Sequence, residues 1–131
     1  MESEPRQYYI VVDDDSISNM LCKKVIEKTI PEAEVITFTE PEKGLAYLLA
    51  TYGKPASGNA ILFLDINMPS MTGWEFMEHF KKADLLVKKK IHVYILSSSV
   101  NPIDKEKARI NPDVVDYLEK PLSASVLKSV T

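Results

Sequence analysis

The sequence predicts an α/β fold in which a doubly wound, five-stranded parallel sheet is covered by helices on both faces. Short β-branched or aromatic runs alternate along the chain with segments of helical periodicity, and one run, residues 60–64, is apolar at every position. A continuous apolar run is typical of a strand buried on both faces, and strands that alternate with helices form parallel sheets with right-handed crossovers. The 131 residues are expected to form one domain, 1–131, with residues 1–7 as a flexible tail.

Three strands and two helices are predicted in the first half of the chain. The strands are expected over residues 8–12, 35–38 and 60–64. The first helix is expected to begin at a cap formed by Asp15 or Ser16, because apolar residues then recur at helical spacing. The second helix is expected over residues 41–52, with Thr39 and Glu42 at the spacing of a capping box.

The second half continues the alternation. Strands are expected over residues 92–96 and 114–118. Thr72 and Glu75 form a second capping-box pattern at the start of the third helix. Asn101 followed by Pro102 predicts the start of a fourth helix, which ends near residue 110, because proline is favoured in the first helical turn. A short last helix is expected to begin near Ser123.

Several conspicuous side chains are given a structural role. Trp74, Met77 and Phe80 recur at helical spacing and are expected to form a core stripe. The three consecutive lysines at 88–90 are interpreted as a solvated charge run before a strand. Cys22 lies near the apolar face of the first helix and is expected to fill space in the core.

Composition excludes several classes of function. The formal net charge of −3 provides no positive field for nucleic-acid phosphates, so direct DNA or RNA binding is not expected. Apolar stretches of five or six residues are far too short to span a membrane, and the polar start of the chain is no signal peptide. A single cysteine cannot form an internal disulfide, which fits a cytoplasmic location.

Polar side chains follow four of the predicted strands. Asp13 and Asp14 come after the first strand, Asp65 after the third, Ser97 after the fourth and Lys120 after the fifth. Because the carboxyl ends of parallel strands share one edge of the sheet, these side chains are expected to converge there, where ligands bind in such folds.

Three neighbouring carboxylates repel one another unless a cation is present. A hard divalent ion such as Mg²⁺ resolves the repulsion, since it prefers oxygen ligands and keeps waters for substrate oxygens. A metal-bound carboxylate beside a hydroxyl and a lysine suits phosphoryl transfer, in which one carboxylate can act as the nucleophile.

The residues at this edge resemble a known family, the receiver domains of bacterial two-component response regulators. The likeness runs from Tyr9 to about Lys128. It is carried by VVDDD at 11–15, LDINMP at 64–69 with Met71 and Gly73, ILS at 95–97 and EKP at 119–121.

The resemblance implies a flavodoxin-like strand order of 2-1-3-4-5 and a phosphoacceptor site. It implies that Asp65 accepts a phosphoryl group from a histidine kinase or phosphotransfer protein. It further implies that Asp14, Asp65 and the backbone carbonyl of Asn67 bind Mg²⁺, while Asp13 holds a metal-bound water.

The resemblance also assigns roles to the last two strands. Ser97 is expected to bind the phosphoryl oxygen, and Lys120 to pair with its charge. Lys120–Pro121 is a candidate cis peptide bond. Ser97 and Tyr117 occupy the positions of a conformational switch, whose reporting surface for a downstream protein lies on the fourth helix, the fifth strand and the last helix.

Three other functions are open to the sequence. A haloacid dehalogenase-type phosphatase also uses aspartate and Mg²⁺, but it needs a second carboxylate where this chain has Asn67. A flavodoxin-like cofactor binder needs a hydroxyl- and glycine-rich phosphate loop after the first strand, where this chain has three aspartates. A receiver-like module with an intact site that binds a partner constitutively, without phosphorylation, is the alternative that the sequence leaves open to the phosphoacceptor.

Overall fold

The computed structural model describes residues 7–55 and 57–130, so the first six residues of the predicted tail lie outside the described residues. The elements in chain order are β1 (Tyr8–Val12), α1 (Ser16–Thr29), β2 (Glu34–Phe38), α2 (Pro41–Tyr52), β3 (Ala60–Leu64), α3 (Gly73–Lys81), α4 (Leu85–Lys90), β4 (Ile91–Ser97), α5 (Pro102–Ile110), β5 (Val114–Glu119) and α6 (Ala124–Val130). None of the described helices is long and apolar enough to cross a membrane.

The five strands form one parallel sheet in the order β2-β1-β3-β4-β5, which confirms the predicted fold and strand order. β1 pairs with β3 in the register Val12↔Leu64, and β3 pairs with β4 in the register Leu64↔Ile95. These three central strands therefore end close to one level. The polar residues that follow them leave the sheet side by side.

Helices pack on both faces of the sheet and enclose two hydrophobic clusters. The cluster beneath α1 and α6 contains Ile26, Leu127 and the strand residues whose side chains point to this face of the sheet. Along each strand these residues alternate with residues of the cluster on the opposite face. The cluster beneath α2, α3, α4 and α5 includes Leu48, Phe76 and Val87. Residues of β1 and β3 thus bury side chains in both directions, as a strand covered on both faces must.

Three of the four predicted helix caps are present, and at the start of α5 the Asn101 side chain accepts the backbone N–H of Ile103 at 3.0 Å. The Asp15 carboxylate accepts the backbone N–H of Ile17 at 2.9 Å at the start of α1. Thr72 and Glu75 form the reciprocal capping box of α3. The predicted Thr39–Glu42 box is wrong, because Pro41 occupies the first helical position and so makes residue 40 the N-cap, which makes no side-chain capping bond.

The lysine run at 88–90 is not simply a solvated stretch before a strand. These residues form the last turn of α4, a helix that the sequence analysis missed, and Val87 of that helix is buried in the core. Lys88 lies 3.6 Å from Asp113, and Lys90 is buried with an exposed fraction of 8%. Val87, with the half-buried Leu86 beside it, anchors this short helix to the core, whereas Leu85 is exposed.

The core stripe on α3 is confirmed for Met77 and Phe80, which are fully enclosed. Trp74 differs, because it is only half-buried and its indole N–H donates to Asp104 Oδ1 at 3.0 Å. Cys22 is buried, as expected, and burial with the nearby Asp13 charge raises the pKa of its thiol to about 12. The thiol therefore stays neutral at physiological pH.

Candidate functional site

The carboxyl ends of β1 and β3 place three carboxylates together. Asp13 and Asp14 follow β1, Asp65 follows β3, and one ligand atom from each lies within 4.8 Å of the others. Asp13 and Asp65 are buried, whereas Asp14 is exposed. The predicted convergence at this edge of the sheet is therefore present, and the cluster is open to solvent on the side of Asp14.

Lys120, which follows β5, extends its ammonium group into this cluster. Its Nζ lies 2.5 Å from Asp13 Oδ2 and 3.5 Å from Asp65 Oδ1. Burial alone lowers the pKa of Lys120, but the bond to Asp13 and the charge of Asp65 outweigh burial and raise it. The lysine is therefore held in its charged form, and its peptide bond to Pro121 is cis, as the resemblance implies.

The two buried carboxylates have different partners. Asp13 uses both oxygens, since Oδ1 accepts the backbone N–H of Asp15 at 2.9 Å while Oδ2 accepts from Lys120. Asp65 contacts Lys120 only at the longer distance of 3.5 Å. Burial, and next the Asp13 charge, raise the pKa of Asp65, and Lys120 opposes this rise only in part.

The cluster carries an excess of negative charge. The formal charges of three aspartates and one lysine sum to −2, which one divalent cation would balance. Oxygen ligands of this kind fit Mg²⁺, which binds through one or two carboxylates and retains waters. A cation here would favour the charged form of Asp65 and so oppose the effect of burial on its pKa.

The backbone of Asp65 is packed directly against the start of α3. A Cβ built on Gly73 would meet the carbonyl oxygen of Asp65 at 2.5 Å and the Cα of Ile66 at 2.9 Å. The Gly73 N–H also donates to the Ile66 carbonyl at 2.8 Å. Only a glycine allows this approach, which fixes the backbone that carries Asp65.

Ser97 ends β4 and is completely buried. Its hydroxyl accepts the backbone N–H of Ser99 at 3.1 Å and makes no hydrogen bond to Asp65 or Lys120. Its carbonyl accepts the backbone N–H of Lys120 at 3.0 Å, which joins the ends of β4 and β5. The structure thus brings the residue to the site edge, while its hydroxyl is engaged by its own loop.

Tyr117 lies half-buried on β5, next to this loop. Its hydroxyl donates to the carbonyl of Ser99 at 2.6 Å. The Ser99 hydroxyl in turn donates to Asp104 Oδ2 at 2.7 Å, and Asp104 Oδ1 accepts from Trp74. Ser99 therefore connects Ser97 with both β5 and α5. Asn67, the other predicted site residue, is exposed in the loop that follows β3.

Sequence analysis missed Asn19 as a member of the site region. This asparagine of α1 is buried, and its amide nitrogen donates to the carbonyls of Asp13 and Phe38. The available signal was a polar residue at helical spacing from Cys22 and Ile26, on a face that otherwise points to the core.

Comparison with known proteins agrees with this geometry. The model of the family described as "Response regulator receiver domain" matches residues 9–131. The fold is similar to the crystal structure of a two-component response regulator from Cytophaga hutchinsonii, with a TM-score of 0.85 and 33% sequence identity. The match covers 95% of this chain and 92% of that chain.

Two curated proteins are similar over most of this chain. The probable methanogenesis regulatory protein FilR2 of Methanothrix harundinacea (strain 6Ac) is 27% identical over 98% of this chain and 81% of its own length. The cyclic di-GMP phosphodiesterase response regulator RpfG of Xanthomonas campestris pv. campestris (strain 8004) is 28% identical over 92% of this chain. The chain spans only 29% of the length of RpfG.

Proposed function

The chain belongs to the response regulator receiver domain family of two-component signalling, and from this premise we propose that it is a Mg²⁺-dependent phosphoacceptor. In this proposal residues 1–131 act as a single receiver domain, and phosphorylation of Asp65 switches a surface that binds another protein. Receiver domains are signalling modules, and the only reactions we propose for this chain are phosphorylation and dephosphorylation of its own aspartate.

The observation that carries the proposal is the uncompensated charge at the carboxyl edge of the sheet. Three carboxylates, those of Asp13, Asp14 and Asp65, surround one lysine. Their excess negative charge and their oxygen atoms both suit a divalent cation. When bound, Mg²⁺ would neutralise the oxygens of the phosphoryl group in transit. We propose Asp14, Asp65 and the backbone carbonyl of Asn67 as its ligands.

The hydrogen bonds favour different roles for the two buried aspartates. Both oxygens of Asp13 are already engaged, so we propose that Asp13 holds a metal-bound water and does not bind the metal itself. Asp65 retains an oxygen that can attack. In the reaction this oxygen forms a bond to phosphorus, the phosphorus–nitrogen bond of the donor phosphohistidine breaks, and the electron pair returns to the imidazole.

The remaining site residues would act after the phosphoryl group arrives. Lys120, held in its charged form, would pair with the new negative charge, and the Ser97 hydroxyl would bind a phosphoryl oxygen. To do so, the Ser97 hydroxyl must give up the hydrogen bond that it accepts from the backbone N–H of Ser99. We propose that Tyr117 reports the change, since its hydroxyl is bonded to the carbonyl of the same Ser99.

Partners follow from the family. Receiver domains interact with histidine kinases or phosphotransfer proteins and with downstream targets. We propose such a donor, a protein target on the surface formed by α5, β5 and α6, and a cytoplasmic location. We propose no nucleic-acid partner, because the net charge of −3 gives no attraction for phosphates.

Intact-mass measurement after incubation with acetyl phosphate tests the proposal. We expect a gain of one phosphoryl group in wild type that requires Mg²⁺ and is lost in Asp65→Asn. Asp84→Asn is the matched control, because Asp84 is exposed and its side chain makes no capping bond. Absence of any gain in wild type, together with no change of the amide spectrum on adding beryllofluoride, would contradict the proposal.

A constitutive partner-binding module is the second candidate. It is favoured by the low exposure of Asp65, whose side chain is only 8% accessible in this conformation. In that case Asp65→Asn would leave signalling unchanged in cells, whereas the phosphoacceptor proposal requires that the substitution abolish it. An Asp-nucleophile phosphatase is not proposed, because position 67 provides an amide where that chemistry needs a general acid.

A further inference from the structure

Asn19 is a buried amide on a helix face that is otherwise apolar. It is 3% exposed, and the other buried residues of α1 are Cys22 and Ile26. Its Nδ2 donates to the carbonyl oxygens of Asp13 at 2.8 Å and Phe38 at 3.2 Å. Its Oδ1 is also buried and finds no hydrogen-bond partner among the described residues. The orientation is fixed, because only the amide nitrogen can donate to two carbonyl oxygens.

These bonds hold the chain where it leaves the sheet. The N–H of Asp13, one residue beyond β1, donates to the carbonyl of Phe38, the last residue of β2, at 3.0 Å. Asn19 adds a second donor to that carbonyl and also binds the carbonyl of Asp13 itself. Its own backbone N–H donates to the Asp15 carbonyl at 3.1 Å. The segment from Asp13 to Asp15 is therefore tied to α1 at both of its ends.

Packing alone does not account for an asparagine at this position. A leucine has the same branched skeleton and would continue the apolar face, but it would remove the donor to the buried Asp13 carbonyl; the asparagine keeps that donor at the free-energy cost of a buried Oδ1 without a partner. The compensating bonds go to the backbone of Asp13, next to the carboxylates that repel one another. We propose that Asn19 is a positioning residue for the cation site: it holds Asp13 and Asp14 close to Asp65 against that repulsion.

This inference rests on the proposed Mg²⁺ site. A cation that binds only the folded protein stabilises it by an amount that depends on its affinity, so the site can be measured through unfolding without any phosphorylation assay. Partners that orient ligands from behind typically change metal affinity 10- to 100-fold when they are removed. We therefore expect Asn19→Leu to weaken the affinity for Mg²⁺ about tenfold or more.

The experiment is urea unfolding at several Mg²⁺ concentrations for wild type, Asn19→Leu and Cys22→Ala. Cys22→Ala is the matched control, because it removes a buried side chain one turn further along the same face and changes no charge. We expect Asn19→Leu to lose some metal-free stability, because the Asp13 carbonyl loses its donor, and in addition to need about tenfold or more Mg²⁺ for the same stabilisation by the metal. Cys22→Ala should lose metal-free stability and keep the stabilisation by Mg²⁺.

Three results would overturn the inference. One is a normal response to Mg²⁺ in Asn19→Leu, and another is an equal loss of response in Cys22→Ala, which would indicate a general effect of core packing. If Asn19→Leu does not fold, Asn19→Ala, which adds no bulk, is read by the same criteria. The third is a wild type that Mg²⁺ does not stabilise at all, which would contradict the proposed cation site itself. If wild type is phosphorylated normally and Asn19→Leu responds to Mg²⁺ as wild type does, only the role of Asn19 is contradicted.

Discussion

Each end of the sheet holds a lysine, buried in the case of Lys90 and half-buried in the case of Lys120, and the two lysines have different partners. At the amino end, Lys90 donates to the carbonyl of Lys54 at 2.5 Å and to the Ser57 hydroxyl at 2.7 Å, so neutral oxygens surround it. At the carboxyl end, Lys120 lies among ionised aspartates, of which it contacts Asp13 most closely. The first arrangement fastens the loop before β3, whereas the second leaves a local excess of two negative charges.

The difference teaches that a buried charge by itself does not indicate function. Within the part of this loop that the structure describes, Lys90 donates to uncharged oxygens alone. Around Lys120, both oxygens of Asp13 accept hydrogen bonds, but the negative charges of the cluster outnumber its positive charge. A site that is short of positive charge responds to cations, and a site built of neutral oxygens does not. Substitution of either lysine, with and without Mg²⁺, tests this distinction.

The largest effect is expected from Lys120→Met. Removing one partner from a buried ion pair leaves uncompensated carboxylates, and because Lys120 is partly accessible we expect a loss of about 2–4 kcal/mol in the free energy of unfolding. The excess of negative charge also grows, so Mg²⁺ should restore more stability than it adds to wild type. Urea unfolding with EDTA or with Mg²⁺ measures both quantities. Equal stabilisation by Mg²⁺ in both proteins would contradict the charge argument.

Lys90→Met should have a smaller effect that Mg²⁺ does not repair. It leaves the buried carbonyl of Lys54 and the Ser57 hydroxyl without their donor, which costs about 1–3 kcal/mol. The neighbouring Lys89→Met is the control, since Lys89 is exposed on the same helical turn. The same unfolding series applies. If Mg²⁺ rescued Lys90→Met more than it stabilises wild type, the two ends of the sheet would not differ as described.

The pH dependence of stability separates the sites further. The pKa of Asp65 is raised in the folded protein, mainly by burial, whereas in the unfolded chain it lies at about 3.9. At pH values between these two pKa values, the folded protein binds more protons than the unfolded chain does. The contribution of Asp65 to the free energy of unfolding therefore falls as pH rises through this interval. In EDTA, the free energy of unfolding of wild type relative to Asp65→Asn should be lower at pH 7 than at about pH 4. A flat difference would contradict the raised pKa.

The smallest effect is expected from Tyr117→Phe. The substitution removes only the 2.6 Å bond to the Ser99 carbonyl, which is partly buried and can turn to solvent, so we expect a cost of about 1 kcal/mol or less. Stabilisation by Mg²⁺ and phosphorylation of Asp65 should be unchanged, because the hydroxyl of Tyr117 is bonded to a backbone carbonyl and not to a charged group of the cluster. A changed affinity for Mg²⁺, measured by the same unfolding series, would place Tyr117 inside the charged cluster and not beside it.

Much of the fold follows from patterns that are local in the sequence. The strand bounds of β1 and β3 and the range of α2 are those that the sequence predicts, because a strand buried on both faces leaves a continuous apolar run and a helix buried on one face leaves a helical spacing. Helix α4 was missed because its three lysines conceal a short apolar anchor, and burial of Lys90 depends on a loop more than 30 residues away. Propensity carries no information on such distant oxygens.

The site divides in the same way. Convergence of Asp13, Asp65 and Lys120 could be predicted, because the topology alone brings the ends of parallel strands to one edge. The contribution of Asn19 could not, since it depends on where two backbone carbonyls point. Likewise, Trp74 satisfied the core pattern, while its bond to Asp104 depends on how closely α3 and α5 approach.

The close approach of Gly73 to Asp65 has a consequence for sequence variation at this position. A glycine with ordinary helical dihedrals would normally accept alanine, often with a gain in stability. Here the added methyl group would push against the carbonyl of Asp65 at 2.5 Å, so even the smallest replacement displaces the backbone of Asp65. In a saturation library selected for phosphorylation, position 73 should therefore be as intolerant as the aspartates, although its residue has no side chain and can carry out no chemistry.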